Sequence, residues 1–462
     1  MFEKVKKMVN SMFRTTTVEE ALGIELSVSE QMLNAQLLWR TMIQGKAEWN
    51  DKDTPSLQIA NGICVEIARS VALEFESKLT GSKRADYLDV QYQNLIDNSR
   101  SIIEKMCAGG EVILKPYPKG KEIKTMVVEN KMYWPVEYNS NGELTRVVFG
   151  ERIKKDSLFY ILFEEHNWNE TTNEYEMKYK AYTSEDGFKL KKEITPSSMQ
   201  FWKEIKDMNF KNIYKPLFVV LRNPQSNTID MEAEQGISSF AKAVELIKEA
   251  DKQFGRIIWE FEGGELAINA SIDLFKKDRN TNKPALPKGK DRLYKTYDVD
   301  ATTFALDVFN PEYRDSSLYN GLDKILKKIE FVCQLSYGTI SDPQSIEKTA
   351  TEIKTAKQRF YSLVSDIQSS YRLALEKLIN SYDVLATLYK LAPNGEVESS
   401  FSFDDSIIVD RETELNQKLA LAGAGILNGY EVRAWYLGQT EEEAKKGMPD
   451  MEKMLEEENI EE

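Results

Sequence analysis

Residues 345–390 read SIEKTATEIKTAKQRFYSLVSDIQSSYRLALEKLINSYDVLATLYK. Within them Ile353, Ala356, Phe360, Leu363, Ile367, Tyr371, Ala374 and Leu378 recur at steps of three and four, the face of an amphipathic helix. Unbroken, at about 1.5 Å per residue, that helix would run on the order of 65 Å. A single globular core seldom needs such a length. The stretch therefore points to an elongated subunit or an assembly.

Upstream, Leu318, Leu322, Ile325, Ile329 and Val332 alternate steps of four and three. That is a heptad-like seam, which packs against a neighbouring helix. It breaks between Tyr337-Gly338 and Pro343. Ile237, Phe240, Ala241, Val244, Ile247 and Phe254 predict another helix over about 231–259, stopped by Gly263-Gly264. Between the two, residues 265–310 predict short strands around a polar loop at 276–291 that carries Pro284, Pro287 and Gly289.

Residues 110–222 predict a mostly antiparallel β segment. Strands are expected at 111–115, before Pro116, Pro118 and Gly120, and at 125–128, 132–138 and 143–149, with Asn139-Ser140-Asn141-Gly142 as a hairpin turn. Further strands at 159–165 and 174–182 are separated by the polar stretch 167–173. Residues 1–108 predict helices. Ala60, Ile63, Ile67, Val71 and Phe75 share one face, and a run over 87–106 ends at Gly109-Gly110. Phe2, Val5, Val9 and Met12 fall at helical spacing in a basic N-terminal stretch that has no signal-peptide-length apolar run. Downstream of Pro393-Asn394-Gly395 come a strand pair in 396–410, a helix over 412–422 and, from Glu441, a tail with ten acidic and three basic residues.

The 462 residues carry 61 Lys+Arg against 75 Asp+Glu, a net charge of -14, which argues against a clamp that neutralises nucleic-acid phosphates. His166 is the one histidine, so chemistry needing several imidazoles is unsupported. Cys64, Cys107 and Cys333 are too scattered for a disulfide framework and fit a reducing compartment. No GxxxxGK[ST], GxGxxG after a strand, or GxSxG occurs. No apolar run reaches a membrane span.

Weaker candidates remain. In a strand, Glu164 and His166 of Glu164-Glu165-His166 would share a face while Glu165 points away, an acid/base cluster or a structural one. Trp134, Trp168, Trp202 and Trp259 read as a stacking surface or as core anchors. Lys276, Lys277, Lys288, Lys290 and Arg292 make a basic loop for a phosphate or an acidic partner, or a solvated loop tip. Lys324, Lys327 and Lys328 are surface lysines or a ring of positive charge in a cyclic assembly.

The order of these blocks resembles the portal proteins of tailed double-stranded DNA bacteriophages. The likeness is carried by Asn61-Gly62-Ile63 through Glu76, by Gly109-Gly110-Glu111-Val112-Ile113-Leu114-Lys115-Pro116, and by Pro135 to Gly142 followed by Phe149. It continues in Gly236-Ile237-Ser238 through Asp251, in Thr349-Ala350-Thr351-Glu352 before the long helix, in Leu427-Asn428-Gly429-Tyr430, and in Leu437-Gly438 with residues 441–444.

That resemblance implies an α+β, portal-like elongated subunit. Residues 1–230 would form a helical and β wing, 231–262 and 311–335 the two stem helices, and 263–310 a small β clip. Residues 336–348 would form a tunnel loop, 349–395 a long wing or crown helix, and 396–462 a short C-terminal wing or crown region with the acidic tail. It implies a head-to-tail connector, a ring of about twelve subunits at one capsid vertex. Such a ring serves as a conduit for DNA packaging and genome ejection. The implied partners are major capsid and scaffolding proteins, the terminase large subunit, a head-completion or adaptor protein, and double-stranded DNA passing without sequence specificity. The implied location is the virion, with assembly in the host cytoplasm and no membrane. No catalytic residue, metal or cofactor is expected. Thr339, Ile340, Ser341, Asp342, Gln344, Ser345 and Lys348 would form the tunnel loop. Lys327 and Lys328 would face the channel, and Lys276, Lys277, Lys288, Lys290 and Arg292 would meet partners at the clip. The competing readings are a minor capsid or adaptor protein without a channel, and an enzyme acting on a polymer through carboxylates of the β region.

Overall fold

The computed structural model describes residues 15–271, 293–297, 306–310, 312–342, 350–403, 411–437 and 439–448. Its elements are α1 (Thr15–Leu22), α2 (Glu30–Ile43), α3 (Ile59–Val71), β1 (Glu76–Thr80), α4 (Lys83–Ile96), α5 (Ser99–Gly109), β2 (Glu111–Lys119), β3 (Glu122–Glu129), β4 (Tyr133–Tyr138), β5 (Leu144–Lys155), β6 (Leu158–Asn169), β7 (Glu174–Ser184), β8 (Glu193–Ile194), β9 (Met208–Lys211) and β10 (Val219–Arg222). They continue with α6 (Val244–Gly263), β11 (Ala267–Ser271), β12 (Tyr294–Tyr297), β13 (Leu306–Phe309), α7 (Asp315–Val332), α8 (Ala350–Leu388), β14 (Glu398–Ser402), α9 (Arg411–Gly423), α10 (Gly429–Leu437) and α11 (Glu441–Lys446). Helices and mostly antiparallel sheets are segregated along the chain, as the expected α+β class requires. The chain divides into two compact units, 1–72 with 76–401, and 73–75 with 402–462.

Two sheets dominate the larger unit. One has the order β10-β2-β3, and the other runs β4-β5-β6-β7-β8 with β9 also on β7. The Asn139 turn forms as its sequence predicts: Asn139 Oδ1 accepts the Asn141 and Glu143 amides at 3.1 and 3.0 Å, and Gly142 takes φ +70°. Several strand bounds differ from expectation: β3 begins at Glu122 rather than 125, and β5 runs on to Lys155 rather than 149. β2 runs on through Pro116 and Pro118 because β10 pairs only as far as Leu114, so the prolines lose no hydrogen bond on that free side. β6 extends to Asn169, where Trp168 pairs with Tyr175. The polar residues of 167–169 lie on the outward side of a strand whose inward residues, His166 and Trp168, are buried.

α8 lies across β10, β2 and β3 and against α3 and α4. Leu363, Ile367, Tyr371, Ala374 and Leu378 of its predicted face are buried. The Tyr371 hydroxyl reaches Ser99 Oγ at 2.8 Å, and the Tyr382 and Thr125 hydroxyls are 2.6 Å apart.

The predicted helix over 231–259 begins late. Residues 231–240 are irregular, Ala241–Ala243 form a single 3₁₀ turn, and α6 starts at Val244. Ile237 and Phe240 are fully buried, but inside a backbone knot rather than on a helix. The Asn223 side chain donates to Ile237 O at 2.8 Å, and both the Ser238 hydroxyl and the Ser239 amide donate to Cys107 O at 2.9 Å. Gly110, at φ +89°, and Gly236 approach so closely that a Cβ on either would overlap the other's carbonyl oxygen. The buried Glu111 carboxylate closes the knot, accepting from the Tyr133 hydroxyl at 2.7 Å, the Gly236 amide at 2.9 Å and Arg222 Nε at 3.1 Å.

Gly110→Ala meets both a left-handed backbone and this clash. It should cost about 3 kcal/mol or more in urea unfolding. Gly62→Ala, in α3 with nothing within 4 Å of the added Cβ, should be neutral or stabilise by up to about 1 kcal/mol.

Candidate assembly and channel region

α6 and α7 run antiparallel and in contact. Gln253 Nε2 donates to Leu318 O at 3.2 Å, while two turns further on the Arg314 guanidinium clasps Glu260 at 2.9 and 2.6 Å. Phe261 packs on the rings of Tyr313 and Tyr319. Leu322 and Ile329 of the heptad seam are buried, and Leu318, Ile325 and Val332 are half-buried. The pair is closed at one end by a three-stranded sheet in which β11 is parallel to β12 and antiparallel to β13. This sheet and the adjoining helix ends leave large apolar side chains in water. Trp259 is 68% exposed and Val308 54%, and Leu266, Tyr297, Phe309, Tyr313 and Tyr319 are also exposed.

Each helix of the pair carries a buried carboxylate that binds the backbone of another segment. Asp251 on α6 accepts from Trp49 Nε1 at 2.9 Å, Asn50 Nδ2 at 2.9 Å and the Leu57 amide at 2.8 Å. One turn later Gly255 admits Asp53 O where a Cβ would collide. Glu330 on α7 is fully buried. Its Oε1 accepts the amides of Gly338, Ile340 and Ser341 at 3.0, 2.8 and 2.9 Å, and its Oε2 accepts the Ser341 hydroxyl at 2.9 Å. α7 ends in a Schellman turn: Gln334 is left-handed at φ +60°, its amide reaches Phe331 O, and the Leu335 amide reaches Glu330 O. The chain then doubles back along α7, and the Asp342 amide donates to Asp323 Oδ1 at 3.1 Å. Asp323 and Glu330 are seven residues, or two turns, apart, so they occupy one face.

Of the residues expected in the tunnel loop, Thr339, Ile340, Ser341 and Asp342 lie in this returning segment, with Ser341 buried against Glu330. Gln344, Ser345 and Lys348 lie outside the described residues. So do Lys276, Lys277, Lys288, Lys290 and Arg292 of the expected clip contact. Lys327 is half-buried and ion-paired to Asp323 at 2.7 Å, and Lys328 is exposed with its ammonium over the Phe331 ring. Phe331 also carries the Arg359 guanidinium from α8, which Tyr337 covers in turn. Reading the sequence missed Asp251, Asp323 and Glu330. The signal was there for two of them: acids seven apart beside a heptad seam, followed by Gly338.

Glu164 and His166 share a face as expected, and Glu165 points away to Arg146 Nε at 2.6 Å. The pair is one half of a buried cluster between the two sheets. Glu164 takes Lys115 Nζ of β2 at 2.5 Å, His166 Nε2 at 2.7 Å and the Tyr179 hydroxyl at 3.3 Å. A carboxylate only accepts, so Nε2 carries the imidazole proton and Nδ1 accepts from Tyr175 at 2.5 Å. Burial lowers the His166 pKa, and Glu164 opposes this only in part. Burial alone would raise Glu164, but Lys115 and then His166 outweigh it and hold the carboxyl well below its usual range. The cluster ties β2 of one sheet to β6 and β7 of the other.

Trp134, Trp168 and Trp202 are buried core anchors, while Trp259 stands apart on α6. The three cysteines are buried free thiols, and burial pushes Cys107 and Cys333 up to about 12. A groove of about 290 Å³ between α2, α3 and α5 has charges of both signs, with Lys105 and Lys131 both reaching Glu129. Among the described residues, no group of three His, Cys, Asp or Glu side chains could hold a metal ion, and no helix is long and apolar enough to cross a membrane.

No protein-family model matches the chain, and no curated protein sequence matches it significantly. Among solved structures, it is similar to a chain of the neck of a native GTA particle computed with C12 symmetry. The identity is 14% and the TM-score 0.42, over 88% of this chain and 99% of that one. A likeness at that level assigns no role to any residue here.

The buried cluster makes stability depend on pH. A group whose pKa is depressed on folding binds more protons when unfolded, so its contribution is present above the unfolded pKa and is lost on acidification. The urea midpoint should therefore fall as pH drops below about 6.5 through His166, and again below about 4.5 through Glu164. His166→Gln should flatten the first of these windows. Lys115→Met, which leaves the Glu164 charge without its cation, should cost on the order of 3 kcal/mol at pH 7.5.

Proposed function

We propose that the chain is the subunit of a portal-type ring. The ring would be a conduit for double-stranded DNA and a docking platform at a capsid vertex, and not an enzyme. The observation that carries this reading is the run β11–β13 between the packed helices α6 and α7, followed by the returning loop and the 39-residue α8. The reading required α6 and α7 to pack side by side, and they do.

The uncovered apolar residues add a physical reason for assembly. A small three-stranded sheet needs a packed face to be stable. Here Tyr297, Val308, Phe309, Leu266 and Trp259 face water in the single chain. Such a concentration marks a protein interface. A head-to-tail contact between identical subunits that closes on itself makes a ring. A net charge of -14 suits a conduit, because adhesion to DNA grows with each phosphate neutralised. Under this reading the partners are further copies of the chain, capsid and scaffolding proteins, the terminase large subunit and a head-completion protein. The alternative is a capsid-associated adaptor without a channel, in which α6 and α7 would be internal core.

Light scattering followed by negative-stain imaging should give rings of about twelve subunits with a central hole. A chain that stays single at high concentration and with its capsid partners would move the reading to the adaptor. Trp259→Ser with Phe309→Ser should abolish rings while leaving the urea midpoint of the single chain within about 1 kcal/mol of wild type, since neither side chain is buried in it. Deleting 340–344 should impair packaging and leave rings intact. Charge reversal at Lys288, Lys290 and Arg292 should weaken binding of the motor or adaptor.

A further inference from the structure

Resting on that reading, we propose that Asp323 and Glu330 are positioning residues. They form a carboxylate track on α7 that holds the backbone of residues 338–342, so that the loop works by where its backbone is held rather than by which side chains it displays.

Of the hydrogen bonds described from the track to the loop, all but the one from the Ser341 hydroxyl come from the main chain. Glu330 takes three amides and one hydroxyl, and Asp323 takes the Asp342 amide. Amides exist at every non-proline position, so side-chain substitutions in the loop would leave the grip in place. Gly338, at φ +86°, supplies the turn that aims three amides at one oxygen. The donors compensate the Glu330 charge inside the protein, so the track does not present a bare carboxylate to DNA. Lys327 balances Asp323 on the same face. The cation-π stack of Phe331, Arg359 and Tyr337 ties the root of the loop to α8. The loop is thus fastened to both long helices, and its height along α7 is set two turns apart by Asp323 and Glu330.

The test compares Glu330→Gln with Ile340→Ala in the full chain. Gln keeps the shape of the side chain and a carbonyl oxygen for the three amides, but removes the negative charge that they bind. In Glu330→Gln, amide hydrogen exchange at Gly338, Ile340 and Ser341 should rise about tenfold or more, because three bonds to a charged acceptor become weaker bonds to a neutral one. Rings should still form, and DNA packaged or retained per particle should fall about tenfold. Ile340→Ala keeps all four bonds to Glu330 and should hold DNA within about twofold of wild type. Unchanged exchange in Glu330→Gln overturns the proposal. So does a loosened loop with normal DNA content, or Ile340→Ala as damaging as Glu330→Gln. If Glu330→Gln does not fold, Asp323→Asn is read in the same way at the Asp342 amide. Wild-type protein that forms no DNA-passing ring defeats the portal reading instead. The two failures are separable because exchange at 338–341 is measured on the chain whatever its assembly.

Discussion

The close approach of Gly110 and Gly236 is the constraint on which the larger unit depends. It lets the end of α5, the start of β2 and the segment leading to α6 share one point, with the buried Glu111 carboxylate holding the Gly236 amide, Tyr133 and Arg222 there. A side chain at either glycine would push the α6 approach away from the sheet. α7 packs on α6, and the returning loop binds α7, so the position of each follows from this knot. The irregular stretch 231–240 is the local cost, since it gives up helical hydrogen bonds and recovers them from Asn223, Ser238 and Cys107 O.

The same device recurs wherever two segments must meet at a set distance. Asp251 binds the Trp49–Leu57 segment to α6, and Glu330 binds the 338–341 amides to α7. Each is a buried acid that no Lys or Arg pairs with among the described residues, and N–H and O–H donors fill its oxygens instead. Such acids are costly to bury unless every acceptor site is filled, so they specify one arrangement more sharply than an apolar contact of equal area. The Lys115–Glu164–His166–Tyr175 bridge between the sheets follows the ion-pair version of this rule.

Against these tight interior junctions stands the uncovered surface at β11–β13 and the adjoining ends of α6 and α7. The interior spends buried polar groups on geometry, and this end leaves aromatic and aliphatic area in water. In the ring proposed above, neighbouring copies would cover this area.

Hydrophobic period and turn chemistry alone determined most of the elements. The α8 face, the heptad seam, the Asn139 turn and the split of Glu164 and His166 from Glu165 all follow from spacings of 3.6, 3.5 and 2, which are local properties of the backbone. Tertiary structure decided the rest, for reasons no local pattern holds. Ile237 and Phe240 are spaced as a helix yet lie in a loop, because contacts with Asn223 and Cys107 O outweigh propensity there. Pro116 sits within a strand because its neighbour β10 stops short. Asp251, Asp323 and Glu330 look like solvated helix charges in sequence. They become anchors only because N–H groups 8 to 19 residues away for Glu330 and Asp323, and 194 to 202 residues away for Asp251, are folded onto them.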